Sequence, residues 1–315
     1  MLGNGIAKVF IDGEAGTTGL QIRQRLAGEH GVVVLPIEAA KRKDPATRQS
    51  LMAAADVVIL CLPDDAALEA VALADDLGPN SPRIIDASTA HRTADGWVYG
   101  FAELEPQQAH AARIAEADRV SNPGCYATGA IALIAPLTAS SWFAPEFPFT
   151  INAVSGYTGG GNQMIAAHEQ GNAPVFELYG LSLAHKHLPE IMMHAGLTRP
   201  PLFVPSVGHF AQGMLVSIPI QMAFLASPPP LEDLDELFRA YYADAPKVSY
   251  HPIGSDPATR AGRLTVDPSV GTDGMDIWLF GNAAGDQAVL VARLDNLGKG
   301  AAGAAVQNLK LMLGH

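Results

Sequence analysis

The chain has 315 residues with 20 Lys and Arg against 32 Asp and Glu, a formal net charge of −12. That length exceeds one ordinary hydrophobic core and predicts two domains. The acidity excludes nonspecific nucleic-acid binding, and no apolar run reaches the length of a membrane span.

Two cysteines are too few for a disulfide framework. The opening Met1-Leu2-Gly3-Asn4-Gly5 lacks a signal-peptide pattern. A reducing, cytoplasmic setting is expected, with no membrane or nucleic-acid partner.

A short apolar strand over Ile6 to Asp12 runs into Gly13-Glu14-Ala15-Gly16-Thr17-Thr18-Gly19, and helical spacing follows from Leu20 to Leu26. Strand, glycine loop and helix in that order let the backbone approach a pyrophosphate and hold its charge at a helix N-terminus. Gly13, Gly16, Thr17, Thr18 and Gly19 are therefore candidate cofactor-binding residues. The spacing is G-x-x-G-x-x-G, and a tight ligand-free turn is the alternative.

Val32 to Ile37 reads as a second strand, which Pro36 pushes toward a sheet edge or ends early. A helix around Ser50 to Ala55 leads into a continuous apolar strand at 57–62 that carries Cys61 as a core thiol. Leu68 to Leu77 is helical, and Arg83 to Ala87 is another strand. This alternation predicts an α/β, doubly wound parallel sheet. Glu38 stands near where an acid would hold the ribose of NAD. Lys41, Arg42 and Lys43 follow, where cations would hold the 2′-phosphate of NADP. Three adjacent cations also suit a solvated loop; the balance favours NADP.

Ser121-Asn122-Pro123-Gly124-Cys125-Tyr126-Ala127-Thr128 carries the most chemical information. Asn122 suits a helix N-cap and Pro123 the first helical position, and the apolar stretch from Thr128 predicts a buried helix that stops near Pro136. Cys125 then faces unpaired N–H groups at the positive end of the helix dipole. That setting stabilises a thiolate and lowers the thiol below its usual value of about 8.5.

A nucleophilic cysteine after a nucleotide domain predicts aldehyde or acyl chemistry, because a thioester and a thiohemiacetal are partners in hydride transfer. Such a reaction needs a proton carrier. In Ala184-His185-Lys186-His187-Leu188-Pro189-Glu190-Ile191 two histidines sit beside a lysine and a carboxylate. Pro189 restricts the chain around His187, which favours it; His185 shares its face if the segment is extended. The pair lacks further ligands at metal spacing, so no metal is expected. Farther on, Ser227-Pro228-Pro229-Pro230 leads into a helix over Leu231 to Tyr242.

These segments together resemble the N-acetyl-γ-glutamyl-phosphate reductases of arginine biosynthesis, in their shorter form, over nearly the whole chain. The resemblance rests on the glycine loop 13–19, on Asp86-Ala87-Ser88-Thr89-Ala90-His91-Arg92, and on Tyr99 to Leu104. It continues through Ser121 to Thr128, Ser155-Gly156-Tyr157-Thr158-Gly159-Gly160-Gly161, the H-x-H-x-P-E run at 185–190, and Leu294 to Gly303. The glycine loop is shared with aspartate-semialdehyde and glyceraldehyde-phosphate dehydrogenases. Tyr157 and Asn162 differ from longer members, and His91 replaces a usual acidic residue.

The resemblance implies a Rossmann-type doubly wound sheet plus an α+β catalytic domain with a mixed sheet. An NADP-binding domain over 1–122 and 293–315 would be completed by the tail 295–313, and 123–292 would form the catalytic and oligomerisation domain. Strands at 149–154, 214–220, 277–280 and 288–294 suit the mixed sheet, and the turn-rich 243–275 would line or cover the site or an interface. The implied molecule is a homodimer or homotetramer that uses NADPH to reduce a small acyl phosphate.

By the same resemblance Cys125 is the nucleophile and His187 the proton carrier, with His185 the alternative. The Cys125 N–H would hold the oxyanion, with Asn122 as cap or second donor. Ser88 would lie at the cofactor and, with Arg92, receive the leaving phosphate; a buried salt bridge is the alternative for Arg92. Ser155, Gly156, His185 and Glu190 would face the substrate, Glu190 also orienting His187. The recognition arginine is one of Arg199, Arg260 and Arg263. Rival readings are an aspartate-semialdehyde dehydrogenase and a carrier-linked aminoadipyl-phosphate reductase. From other classes come a cofactor-independent Cys/His acyltransferase, which the glycine loop opposes, and a noncatalytic nucleotide sensor, which Cys125 with His187 opposes.

Overall fold

Runs of apolar residues without alternation suit strands buried on both faces, and the first sheet is built from such runs. The computed structural model describes residues 6–255 and 262–314. It divides into two compact units, Met1–Ala102 with Ala111–Gly124 and Ala301–His315, and Glu103–His110 with Cys125–Gly300.

The first unit holds six strands: β1 (Ala7–Asp12), β2 (Val32–Leu35), β3 (Val57–Leu60), β4 (Arg83–Asp86), β5 (Val98–Tyr99) and β6 (Arg119–Ser121). All pairings are parallel, in the order β2-β1-β3-β4-β6-β5. Odd residues Val9, Ile11, Val57, Ile59 and Ile85 pack with α1 (Thr17–Leu26), while Phe10, Val58, Leu60 and Ile84 pack on the other face with α2 (Pro45–Ala54) and α3 (Asp64–Asp75). The helix α4 (Ala109–Glu116) adds Ile114 to the odd face, and so does the chain's last helix, Gly303–Leu313, through Ala305, Val306, Leu309 and Met312.

As expected, β2 is an edge strand that ends before Pro36. The strand order reverses between β1 and β3, the switch point where open α/β sheets bind ligands, and Gly13 follows β1 there. Cys61 lies one residue beyond β3, half-buried at the edge of the core, and not inside the strand as expected.

The second unit holds a mixed sheet of β7 (Thr150–Gly156), β8 (Phe176–Leu178), β9 (Leu202–Gly208), β10 (Met214–Gln221), β11 (Val248–His251), β12 (Met275–Gly281) and β13 (Gln287–Leu294). Its order is β11-β12-β13-β10-β7-β9-β8; β7 with β9 and β11 with β12 are parallel and the other neighbours antiparallel. The four expected strands are present. β9 was hidden by its internal Pro205, which reads as a strand breaker, and β11 falls inside the stretch expected to be turns.

The helix α5 (Cys125–Ala139) is apolar on all sides and buried from Tyr126 to Leu137, as a helix without a polar face must be. Gly129 lets it approach β10: a Cβ there would lie 2.7 Å from a Val216 methyl carbon. The helices α7 (Leu188–His194) and α8 (Leu231–Tyr241) pack on it, and α6 (Gly161–Glu169) follows β7 in the chain.

Two expectations about α5 are corrected. It begins at Cys125, so Asn122 and Pro123 do not cap it. It also runs through Pro136. Proline lacks the N–H that would bond the carbonyl four residues back, at Ala132; the buried Tyr242 hydroxyl donates to that carbonyl instead, at 2.7 Å.

Tyr242→Phe should therefore leave a buried carbonyl unsatisfied, at a cost of about 1–3 kcal/mol in urea unfolding. Adding Pro136→Ala restores the helical donor and should recover most of the loss. Equal destabilisation in the single and double variants would refute this pairing.

Candidate active site

The glycine loop contains two kinds of glycine. Gly13 has φ +90°, and a Cβ there would run into the Cys61 carbonyl; a Cβ on Gly19 would lie 2.6 Å from the Gly13 oxygen. Both are required by the turn itself. Gly16 is not, since its nearest neighbour would be at an ordinary 3.6 Å. It begins α1 with no side-chain cap, and no acidic residue follows in the first turn, Thr17, Thr18 and Gly19. That leaves the helix start suited to an anion.

Charged residues brace the loop. Arg48 Nε and Nη2 donate to the same Asp12 oxygen at 2.9 and 2.7 Å, a buried pair at the end of β1. Burial raises the Asp12 carboxyl, and Arg48 opposes that shift. Within the loop, Glu14 accepts from Arg23 at 2.5 Å and from Arg42 at 3.0 Å. Arg42 is thus clasped to the glycine loop, though it is exposed like Lys41, Lys43 and Glu38. Sequence reading missed Glu14 and Asp12, whose partners lie 28 and 36 residues away.

Asp86 gathers the residues that follow β4. It accepts from the Ser88 N–H at 2.9 Å and the Ser88 hydroxyl at 2.6 Å, and it meets His91 Nδ1 at 2.6 Å. His91 stacks on Trp97 with ring centroids 4.1 Å apart. The Arg92 guanidinium donates to the carbonyls of Asn122 and Ala87 at 3.0 and 3.2 Å. Asn122 is anchored as well. Its Nδ2 donates to the Ala301 carbonyl at 3.0 Å, and its Oδ1 accepts from Asn308 at 3.1 Å. It is a tie to the last helix of its own unit.

In the second unit Cys125 is the first residue of α5, at the end where helical N–H groups converge. Tyr126, which sequence reading passed over, organises the groups around it. Its ring lies 6.0 Å from His185, 6.1 Å from His187 and 6.4 Å from Tyr179. Its hydroxyl donates to the Ser206 carbonyl at 2.7 Å, and Tyr179 and Ser155 also hydrogen-bond with it. Burial pushes the Tyr126 phenol far up, and Tyr179 to about 12; Cys125 adds to both shifts. Adjacency to Cys125 was the available signal for Tyr126.

The two histidines share the Tyr126 ring but differ in their hydrogen bonding. Residues 185–187 form a turn, not the extended segment that would set side chains two apart on one face: Leu188 N–H donates to the His185 carbonyl at 2.9 Å. The rings meet edge-on at 4.7 Å. His185 Nδ1 accepts from the His187 N–H at 3.1 Å, so a neutral ring carries its proton on Nε2, toward the Tyr179 hydroxyl at 3.5 Å. Burial, with a smaller contribution from Lys186, lowers His185 to about 4. It is neutral at pH 7. His187 is buried at the start of α7 with Nε2 3.9 Å from Glu190, which is also buried.

Ser155 is buried at the end of β7 and donates to the Gly156 carbonyl at 3.0 Å. Gly156 packs so tightly on Ala211 that no Cβ fits. Arg199 and Arg263 are exposed, and Arg260 lies outside the described residues. Among the described residues no three His, Cys, Asp or Glu cluster as a metal site, and no helix is long and apolar enough to cross a membrane.

The fold and the family models that match it define a semialdehyde dehydrogenase. The family's NAD binding domain model matches residues 8–112, and its dimerisation domain model matches 125–296. An N-acetyl-γ-glutamyl-phosphate reductase from Rhizobium meliloti is 51% identical over 97% of this chain and 98% of its own length. One from Brucella ovis is 49% identical over 98% and 99%. The chain belongs to the N-acetyl-γ-glutamyl-phosphate reductase family. Among solved structures, aspartate semialdehyde dehydrogenase from Francisella tularensis shares the fold, with a TM-score of 0.69 at 12% identity, covering 98% of this chain and 100% of that one.

The two thiols should differ in reactivity. Burial, with Asp86 and Asp12 adding to it, pushes Cys61 up to about 12, so it stays protonated and inert at neutral pH. Iodoacetamide at pH 7 should alkylate Cys125 at least about tenfold faster than Cys61, read by peptide mass spectrometry. Equal labelling would remove Cys125 from the chemistry.

Proposed function

We propose that the chain reduces N-acetyl-γ-glutamyl phosphate to N-acetylglutamate 5-semialdehyde and phosphate with NADPH, in arginine biosynthesis. The observation that carries this reading is Cys125 at the start of a buried helix, with His185 and His187 set around the next residue. Family membership supplies the substrate.

Cys125 thiolate attacks the acyl carbon, and the bond to the phosphate oxygen breaks with its electron pair leaving on phosphate. The Cys125 N–H steadies the oxyanion, and Asn122 holds the chain that leads to it. NADPH, when bound, supplies the hydride that takes the Cys125 thioester to a thiohemiacetal. His187 protonates the thiohemiacetal oxygen, later removes that proton, and the C–S bond breaks to return the thiolate. Glu190 orients His187. Ser155 and Gly156 shape the substrate side, and His185 serves as a neutral hydrogen-bonding wall. Arg92 is the proposed contact for the leaving phosphate.

The glycine loop fits the cofactor. Gly16 keeps a side open that its own fold does not require, next to an uncapped helix start. Gly13, Thr17, Thr18 and Gly19 complete the pyrophosphate cradle, with Ser88 beyond β4. Arg42, held by Glu14, is the proposed 2′-phosphate contact, with Lys41 beside it.

The oligomer is assigned to the open face of the seven-stranded sheet, in a homodimer or homotetramer. An apolar trough of about 760 Å³ there is lined by Phe176, Leu178, Val204, Leu215, Val289 and Val291, within the span matching the dimerisation domain model. A cytoplasmic location follows from the need to keep Cys125 reduced.

The deciding assay follows NADPH formation from N-acetylglutamate semialdehyde, NADP and phosphate, with aspartate semialdehyde as the competing substrate. Turnover independent of phosphate, or faster with aspartate semialdehyde, would overturn the assignment. His187→Asn should lower kcat by about a hundredfold or more at unchanged NADPH affinity. His185→Asn should act mainly on KM and leave the acid limb of the pH profile in place, because that ring is already neutral above about pH 4. Exchanged effects would move the proton to His185.

Alanine at Lys41, Arg42 and Lys43 together should raise KM for NADPH by about tenfold or more and spare NADH, as loss of a charge-assisted phosphate contact does. Equal weakening of both cofactors would make the cluster a solvated loop.

A further inference from the structure

The chain before the last helix contains a π-helical turn, Gly298–Ala302. Its Gly300 N–H reaches five residues back to the Asp295 carbonyl, at 2.9 Å. Such turns are rare and are retained mainly where function needs a locally altered backbone. The residues leading into this one are pinned. Asp295 accepts from the N–H groups of Leu297 at 2.8 Å and Gly271 at 2.6 Å. Asn296 accepts from Gly213 N–H and donates to Thr158 Oγ1, both at 2.9 Å.

The turn delivers Gly300 directly against the nucleophile. A Cβ on Gly300 would lie 2.8 Å from Cys125 Cβ and 3.3 Å from Cys125 Cα. Gly300 is therefore the wall on which Cys125 rests, and its position sets how far the thiol-bearing carbon stands from the rest of the second unit. One residue earlier, Lys299 pairs with Glu103, each side chain only 1% exposed. Burial lowers the Lys299 ammonium, while Glu103 holds its proton on; Asp273 and Lys247 are the other charges that reach it. A buried pair of this kind adds little net stability over an apolar pair of equal volume.

Resting on the reading of Cys125 as nucleophile, we propose that Glu103, Lys299 and Gly300 are positioning residues for the reaction. The Glu103–Lys299 pair locks the π-turn, and the locked turn presents Gly300 as the surface that fixes Cys125 for attack.

The test separates positioning from folding. Lys299→Met combined with Glu103→Leu replaces the pair by apolar groups, and Gly300→Ala fills the contact with Cys125. Both should keep NADPH binding and a melting temperature near that of the unchanged protein. Both should lower kcat by about tenfold or more with KM nearly constant, since small displacements of a reacting atom act steeply on rate. The rate of Cys125 alkylation by iodoacetamide, measured against pH without substrate, should shift in the same variants. Lys299→Arg, which keeps the charge, should restore part of the activity relative to Lys299→Met.

If alkylation, its pH profile and kcat all stay within twofold in both variants, the proposal is wrong. Should Gly300→Ala not fold, the apolar pair decides by the same readouts. An active Cys125→Ser variant would instead remove the nucleophile reading itself.

Discussion

A helix with no polar face can be stable in water only in the middle of a fold, and α5 is buried from Tyr126 to Leu137. Strands β10 and β13 and helices α7 and α8 all pack on it. Its first residue is Cys125, so the thiol proposed as the nucleophile stands on an element that packing holds on several sides. The proposed chemistry inherits that rigidity. A nucleophile on a loop would have to be ordered at each turnover, whereas here the order is supplied by the hydrophobic burial that folds the unit.

Burial also explains how the polar residues are arranged. Asp12, Asp86, Glu103 and Asp295 are all buried, and each one has specific donors: Arg48, Ser88 with His91, Lys299, and main-chain N–H groups. None is spent on generic surface charge. Each fixes a backbone segment beside a strand end or a turn, which is where loops must hold one shape for a ligand to find its contacts preformed.

Much of this was legible in the sequence, and the limits have a physical pattern. Strand β3 was readable because both faces are covered, which leaves an unbroken apolar run, and β1 and β4 because consecutive apolar residues fill their centres. The ends of α5 were not readable. Pro136 signals a stop, and the Ala132 carbonyl that it leaves without a helical donor is served by a hydroxyl 110 residues beyond Ala132. Asn122 looks like a cap until Asn308, 186 residues on, claims its side chain. In the site, Cys125 and the two histidines stood out because their signals are local. The turn at 185–187 that leaves His185 neutral depends on burial, and the Glu14 clasp on Arg42 depends on tertiary proximity; neither has a local signature.

The helix Gly303–Leu313 completes the apolar layer over β1, β3 and β4 with Ala305, Val306, Leu309 and Met312. In the order of synthesis those residues follow every strand of the other unit. A growing chain can therefore close the unit of Cys125–Gly300 around α5 while the nucleotide-binding unit still lacks one side of its core. The unit begun first on the ribosome is finished last. Until then its sheet presents bare Val, Ile and Ala to the cell, and that interval is where a chaperone has the most reason to attend this protein.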